Sequence, residues 1–466
     1  MRVRVALLLA GALAGCTTVG PDYRAPEAGA LPVPDAYYSR PGEAAAPADL
    51  SRWWEQFQDP LLTRLVDEAS AGNLDLAQAS TRLVQARESL AQARAGLVPE
   101  VGASAGAGRA FGAGNDRNSF NVGADASWEI DLFGRIRRGI EASRADAESV
   151  WFDREALRVA LAAEVATNYI QARQAQARLE VARDTLRIAD DNLQLAQWRV
   201  QAGLASSLDS EQARAARAQT AAVIPNLENA FTSATFRLAV LTGRAPGTLT
   251  AALTEPKPIP EGPEDVAVGI PADTLRQRPD VRSSERNLAA QTARIGVAQA
   301  QLYPALRLSG NIGTSAFSLG GLVDAITGGI FSSLSQTLFD GGRLRSQVRA
   351  QRAATEGALA AYRQSILTAL EDVENALNAL RAARERQAQF AIAFEAATNS
   401  AVLARIQYRS GLTDFQQLLD AERSLLSARD GMVSSRADEA LALVQLYRAL
   451  GGGWDAAAAL QIGRNG

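Results

Sequence analysis

The stretch SFNVGADASWEIDLF, residues 119–133, decides the fold because apolar side chains alternate with polar or small ones along most of it. The apolar set occupies every second position from Phe120 through Trp128 to Leu132. A period of two is typical of a β-strand whose two faces meet different surroundings. Two later stretches, ALRLSGNIG (305–313) and GIFSSLSQTLF (329–339), alternate less strictly. We therefore predict two β-hairpins.

The predicted strands have about ten residues each, the length that crosses an outer membrane when the strands are tilted. We predict that the hairpin ends, residues 111–118 and 316–329, are exposed loops. A soluble, half-buried sheet is the alternative interpretation. Four aromatic residues near the strand ends are predicted to form girdles at the membrane interfaces: Phe111, Phe133, Phe331 and Phe339.

Four strands leave open edges, which hydrocarbon does not tolerate. Other copies of the chain must therefore complete a barrel. A cyclic trimer supplies twelve strands and a dimer supplies eight, and the composition does not decide between them.

The N-terminus, MRVRVALLLAGALAGC, has Arg2 and Arg4, then an apolar run, then small residues before Cys16. This pattern predicts a secretory signal peptide over residues 1–15, too short for a membrane-spanning helix. The LAGC sequence resembles the bacterial lipobox, which implies cleavage before Cys16 and lipidation of its thiol. A chance cysteine is the alternative. Thr17 in place of aspartate implies sorting to the outer membrane, and residues 16–60 are predicted to be an extended, lipidated segment.

Composition argues against an enzyme. The 466 residues are 47% hydrophobic, which is enough for a large core, but include no histidine and one cysteine. That removes most routes to metal chemistry, thiol catalysis and histidine acid-base catalysis. We predict no catalytic residue, no metal site and no cofactor other than the lipid on Cys16. The net charge of -3 gives no basic footprint for nucleic acid.

A repeat of about 205 residues organises the chain. LVP (97–99) recurs as LYP (302–304), DLFGRIR (131–137) as LFDGGRLR (338–345), and Gly203 as Gly411. We predict that each repeat contains a helix, a β-hairpin, a long helix and another helix. The predicted segments are a first repeat at 61–243, an irregular proline-rich connector at 244–271, a second repeat at 272–450 and a C-terminal tail at 451–466.

Two proline-free segments, 135–202 and 343–410, are predicted to be continuous helices because they are rich in good helix formers. At about 1.5 Å per residue each spans roughly 100 Å, a length that needs a coiled-coil-like partner. Shorter helices are predicted near 64–97, 208–242, 272–303 and 417–450, and Pro225 is expected to kink the second of them.

Several long motifs, in order, resemble the TolC-like outer-membrane efflux proteins, specifically the lipoprotein branch that is similar to OprM. The motifs are LAGC (13–16), WWEQFQDPLL (53–62), DLFGR (131–135), LRQRPDVR (275–282), LFDGGR (338–343), YRSGLTDFQQLLDAERSL (408–425) and LYRALGGGW (446–454). The resemblance covers nearly the whole mature chain.

This resemblance implies an α+β membrane protein that forms a homotrimer. Four strands per chain would build a twelve-stranded outer-membrane β-barrel, continued by a long periplasmic α-helical barrel. The implied function is passive exit of drugs or other small molecules, delivered by an inner-membrane transporter of the RND type and a periplasmic adaptor. The alternatives are the outlet of a type I protein secretion system and a lipid-anchored periplasmic coiled-coil scaffold.

The resemblance also implies two sets of site residues. The tips that dock the adaptor would be Gly203, Leu204, Gly411 and Leu412, although a plain structural turn also accounts for the glycines. The periplasmic gate would lie nearby.

For that gate, the resemblance points to Asp420, with Asp209 at an acidic tip position. Gln416, Asp420, Arg423 and Ser427 form one polar stripe, and three copies of Asp420 are expected to add their charges and favour cations. Gln416 departs from the family, where a bulky apolar residue commonly narrows the pore. A solvated helix face is the alternative role for Asp420.

Overall fold

A computed structural model describes residues 18–26, 31, 33–39, 49–112, 117–263, 266, 268 and 271–455. The predicted signal peptide (1–15), Cys16 and most of the predicted C-terminal tail lie outside these residues. Where the structure describes the chain, no helix is both long and apolar enough to cross a membrane.

Helices account for most of the described chain. In order they are α1 (Pro60–Gly72), α2 (Leu74–Ala95), α3 (Arg135–Gln201), α4 (Ser207–Leu241), α5 (Thr250–Thr254), α6 (Pro271–Gln277), α7 (Pro279–Ala300), α8 (Arg343–Arg409) and α9 (Phe415–Ala449). The long helices α3 and α8 have 67 residues each and begin at the predicted residues. Pro225 lies inside α4, which continues on both sides of it, and the kink stays a prediction.

Four antiparallel strands form one sheet in the order β1 (Glu100–Ala110), β2 (Arg117–Ile130), β3 (Ala305–Ala316) and β4 (Thr327–Ser335). The pairing of β2 with β3 joins the hairpins of the two repeats. Trp128 pairs with Leu308 on one face of the sheet, and Ser127 pairs with Ser309 on the other. The sheet therefore has one apolar and one polar face.

The register corrects the prediction for Phe331. This residue pairs with Ser309, so it lies on the polar face. Its neighbours Ile330 and Leu334 pair with Gly310 and Leu306 on the apolar face. Phe331 is therefore not part of a lipid-facing girdle.

Residues 16–60 are predicted to be extended, and this prediction is wrong for the last part of the segment. Trp53–Phe57 form a short 3-10 helix, and the side chains of Trp53, Trp54 and Phe57 are buried. The Trp53 ring stacks on Tyr447 at a centroid distance of 5.1 Å. Burial of these aromatic rings favours the compact turn over an extended chain.

Tertiary contacts also change two other predictions. The helix predicted near 64–97 is interrupted at Asn73. The side-chain Nδ2 of Asn73 donates to the carbonyl of Leu241 (3.0 Å), and its side-chain Oδ1 accepts the N–H of Leu76 (3.0 Å). Asn73 therefore caps α2 and binds the end of α4. The connector predicted to be irregular contains α5, in which Leu253 is buried.

The described residues form two compact units. One consists of the described residues within 1–32, 79–153 and 280–365 and contains the sheet. The other consists of those within 33–78, 154–279 and 366–466 and contains both helical turns.

Candidate functional site at the helical turns

The turn between α3 and α4 is a Schellman motif. The N–H of Gly203 donates to the carbonyl of Val200 (3.0 Å), and the N–H of Leu204 donates to that of Arg199 (2.8 Å). Gly203 has a φ of 71°, in the left-handed region that side chains disfavour. Glycine is therefore the residue that this turn requires.

The turn between α8 and α9 repeats the same geometry. The N–H of Gly411 donates to the carbonyl of Tyr408 (3.1 Å), and the N–H of Leu412 donates to that of Gln407 (2.9 Å). Gly411 also has a φ of 71°. The two glycines that the sequence singled out occupy equivalent positions in two equivalent turns.

Side-chain caps complete both turns. The Ser206 hydroxyl accepts the N–H of Leu208 (3.2 Å) at the start of α4, and the Asp414 carboxylate accepts the N–H of Gln417 (2.8 Å) at the start of α9. Leu204 is 70% exposed and Leu412 is 79% exposed. Each turn therefore presents an apolar side chain to its surroundings from a fixed backbone.

A buried cluster, which we call the tip cluster, holds the two turns together. Its buried members are Ala196, Ala213, Ala404, Tyr408, Phe415, Leu418 and Leu419. They come from all four helices that meet at the turns. The rings of Tyr408 and Phe415 lie 5.3 Å apart.

Arg199 at the end of α3 contacts Tyr408 at the end of α8 and so links the two helical turns. The sequence analysis did not identify this residue. Its guanidinium lies 4.6 Å from the centre of the Tyr408 ring and donates to the Tyr408 carbonyl (2.9 Å). Burial raises the pKa of Tyr408, the negative charge of Asp209 raises it further, and Arg199 partly offsets these effects. The sequence offered one signal for this contact. Arg199 lies four residues before Gly203, and Tyr408 lies three residues before Gly411.

The predicted polar stripe is present on the exposed side of α9. Gln416 donates from Nε2 to Oδ1 of Asp420 (3.0 Å), and Arg423 donates from Nη1 to the same oxygen (3.4 Å). The side chains of Arg423 and Asp420 are 56% and 59% exposed. Gln416 is thus one turn from Asp420 and hydrogen-bonded to it.

Arg423 also bears on the charge of this stripe. The expectation that three Asp420 carboxylates add their charges and favour cations stays a prediction. Since Arg423 lies three residues along the same helix, its cation reaches the carboxylate within one chain. The stripe is therefore close to neutral in each copy.

No group of three or more Cys, Asp or Glu side chains that could hold a metal ion occurs among the described residues.

Comparisons with known proteins agree with this architecture. The family model described as outer membrane efflux protein matches residues 65–244 and 270–452. The pyoverdine export outer membrane protein OpmQ of Pseudomonas putida is 33% identical over 97% of this chain and 97% of its own length. The outer membrane protein OprJ of Pseudomonas aeruginosa is 32% identical over 99% of this chain and 98% of its own.

A solved structure of the outer-membrane channel OprN superposes with a TM-score of 0.86 at 37% identity, covering 94% of this chain and 99% of that one. The fold class is therefore the one predicted, a homotrimeric twelve-stranded β-barrel with four strands per chain, continued by an α-helical barrel. Members of this family are channel proteins and not enzymes. The chain belongs to the outer membrane efflux protein family.

Proposed function

We propose that this chain is the exit duct of a tripartite pump that contains a periplasmic adaptor and an RND-type inner-membrane transporter, and that its helical turns are both the docking surface and the gate. The observation that carries the proposal is the pair of equivalent Schellman turns, each with an exposed leucine, next to the stripe of Gln416, Asp420 and Arg423.

Small molecules are the proposed substrates. Relatives carry the names toluene efflux pump outer membrane protein TtgF, antibiotic efflux pump outer membrane protein ArpC and pyoverdine export outer membrane protein OpmQ. These names describe compounds of different polarity. They favour export of small molecules over protein secretion, and they support a conduit that leaves most selection to the pump.

For docking, the proposed contacts are Leu204 and Leu412, positioned by Gly203 and Gly411. Exposed apolar side chains on rigid turns suit a partner that buries them, because little conformational entropy is lost on binding. The tip cluster beneath them gives the required rigidity.

For gating, the proposed constriction is made by Gln416 and Asp420, with Asp209 at the start of α4 as a further acidic residue at the turns. A three-fold axis brings three copies of the α9 stripe around one pore. The bond from Gln416 to Asp420 holds both side chains in one row. Polar side chains then narrow the pore where an apolar seal was otherwise expected.

Lipidation of Cys16 is the proposed anchor to outer-membrane lipid. The first described residues are held against the end of β2: the N–H of Val19 donates to the Phe133 carbonyl (3.1 Å), and Arg138 donates to Val19 O (3.1 Å) and Asp22 (2.6 Å). Cys16 is three residues before Val19, and three residues span at most about 11 Å, so a lipid on Cys16 would start near the end of β2. Intact-mass analysis of the purified protein tests this, and an unmodified cysteine in a mature chain would contradict it.

The experiment for the whole proposal is complementation of a strain that lacks this chain, scored by drug accumulation. We expect wild type to restore efflux and the double variant Leu204→Ser, Leu412→Ser to fail while still reaching the outer membrane. Ile392→Ser is the matched control, since Ile392 is 63% exposed on α8 away from the turns. Full efflux by the double variant would contradict docking at the turns, and no effect of the deletion would contradict the function.

A further inference from the structure

Phe331 differs in chemistry from the rest of the polar face of the sheet. The residues that share this face by register, such as Asp125, Ser127, Arg307 and Asn311, are polar or charged, and the remaining positions are glycine or alanine. Within the described strands, Phe331 is the one large apolar side chain on this face. Phe331 is therefore a candidate for a specific function on this face.

The ring lies over Gly329 and remains accessible. It packs against the backbone of Gly329, where an added Cβ would lie 2.8 Å from Cζ of Phe331. Any side chain at position 329 would displace the ring. Phe331 is nevertheless 59% exposed, so most of its apolar surface can contact another molecule.

Because the chain belongs to a family of outer-membrane channels, the polar face of the sheet, which carries Phe331, faces the barrel lumen. In an outer-membrane barrel the apolar face meets lipid and the polar face meets the lumen. Three copies around a closed barrel therefore place three Phe331 rings in the lumen. On the same face, Glu129 of β2 lies opposite Arg307 of β3, two residues along each strand from Ser127 and Ser309.

We propose that the three Phe331 rings form an aromatic contact site in the barrel lumen for the aromatic or apolar portion of exported small molecules. The proposal rests on the proposed function. A polar wall offers such molecules no apolar contact, whereas an aromatic ring does. One aromatic contact changes affinity by roughly two- to tenfold, which retains a molecule briefly without trapping it.

Phe331 has an alternative structural role, at the boundary between copies of the chain, which the test must distinguish from solute binding. β1 and β4 are the two open edges of the sheet. β1 carries Gly102, Gly106 and Gly108 on the polar face. Phe331 could cover these glycines across a boundary between copies, in which case it would stabilise the trimer instead of binding solutes.

The test uses a single reporter thiol, Ser309→Cys, at the position directly paired with Phe331. The purified trimer in lipid is treated with two water-soluble thiol reagents, a sulfonated benzyl methanethiosulfonate and its sulfonated ethyl counterpart. The ratio of their reaction rates at residue 309 is followed by peptide mass spectrometry, which separates this position from Cys16. The ratio is then measured again with Phe331→Ser added, and with Ile330→Ala added as the control on the apolar face.

We expect Phe331→Ser to lower the benzyl-to-ethyl rate ratio roughly two- to tenfold and Ile330→Ala to leave it unchanged. An unchanged ratio with Phe331→Ser would overturn the proposal, and if the melting temperature of the trimer also fell, the ring would belong to the boundary between copies. Failure of both reagents to reach residue 309 would overturn it as well. The complementation assay is independent, so the proposed function can stand or fall separately.

Discussion

Replacing Arg423 with glutamine tests the electrostatics of the proposed gate. Arg423 and Asp420 contribute one positive and one negative charge per chain, so the stripe is neutral in a trimer. Arg423→Gln leaves a net charge of -3 from three Asp420 carboxylates. For an ion about 5 Å from each charge, three charges contribute about 2.5 kcal/mol in water. Screening at about 0.1 M salt lowers this to about 1.5 kcal/mol for each ion. Because potassium is attracted and chloride is repelled by the same amount, the permeability ratio changes by about 3 kcal/mol, or about a hundredfold.

The assay is the reversal potential of single channels in a potassium chloride gradient across a planar bilayer. We expect wild type to select weakly, Arg423→Gln to raise the potassium-to-chloride permeability ratio about a hundredfold, and Asp420→Asn to shift selectivity toward chloride. Because exposed ion pairs contribute only about 0–1 kcal/mol to stability, both variants should assemble normally. The same reversal potential in all three proteins would refute a position of this pair at the narrowest part of the pore.

Three further predictions concern stability, measured as the melting temperature of the purified trimer. Gly411→Ala should destabilise by about 1–2 kcal/mol because of its positive φ, whereas Gly357→Ala, inside α8 with open space around it, should stabilise by about 0.5–1 kcal/mol; equal effects would contradict the turn geometry. Phe415→Ala should cost about 3–5 kcal/mol because the ring is buried in the tip cluster, and a small loss would show that the cluster is loosely packed. Asp59→Ala should cost at least about 1 kcal/mol, since its carboxylate caps α1 and accepts the Tyr169 hydroxyl, and an unchanged melting temperature would contradict the cap.

Local sequence chemistry predicted the helices and turns well. Arg135 and Arg343 begin the long helices because each follows a glycine-containing turn and starts a run free of proline. Gly203 and Gly411 end them because a tight reversal needs positive φ. The polar stripe on α9 followed from helical spacing alone.

Features that depend on distant contacts could not be predicted in the same way. Asn73 interrupts a good helical pattern because it binds the carbonyl of Leu241, far along the chain. Trp53 lies in a 3-10 helix because it stacks on Tyr447. In β4 the neighbours Ile330 and Phe331 are both apolar, so the pattern does not show which one faces lipid. The register with β3 decides it.

The electrostatics of the polar stripe on α9 could be predicted only in part from the sequence. Spacing placed Asp420 and Arg423 on one face, but whether the two charges act separately or as a pair depends on side-chain conformation. In this structure Gln416 and Arg423 both donate hydrogen bonds to Asp420.

Current across a planar bilayer from the purified trimer tests most directly that this chain forms a conduit through the outer membrane. We expect discrete conductance steps, produced by a heat-modifiable trimer and lost when the trimer is dissociated before reconstitution. A correctly assembled trimer that inserts into the bilayer and gives no conductance steps, in wild type and in Asp420 variants alike, would contradict it.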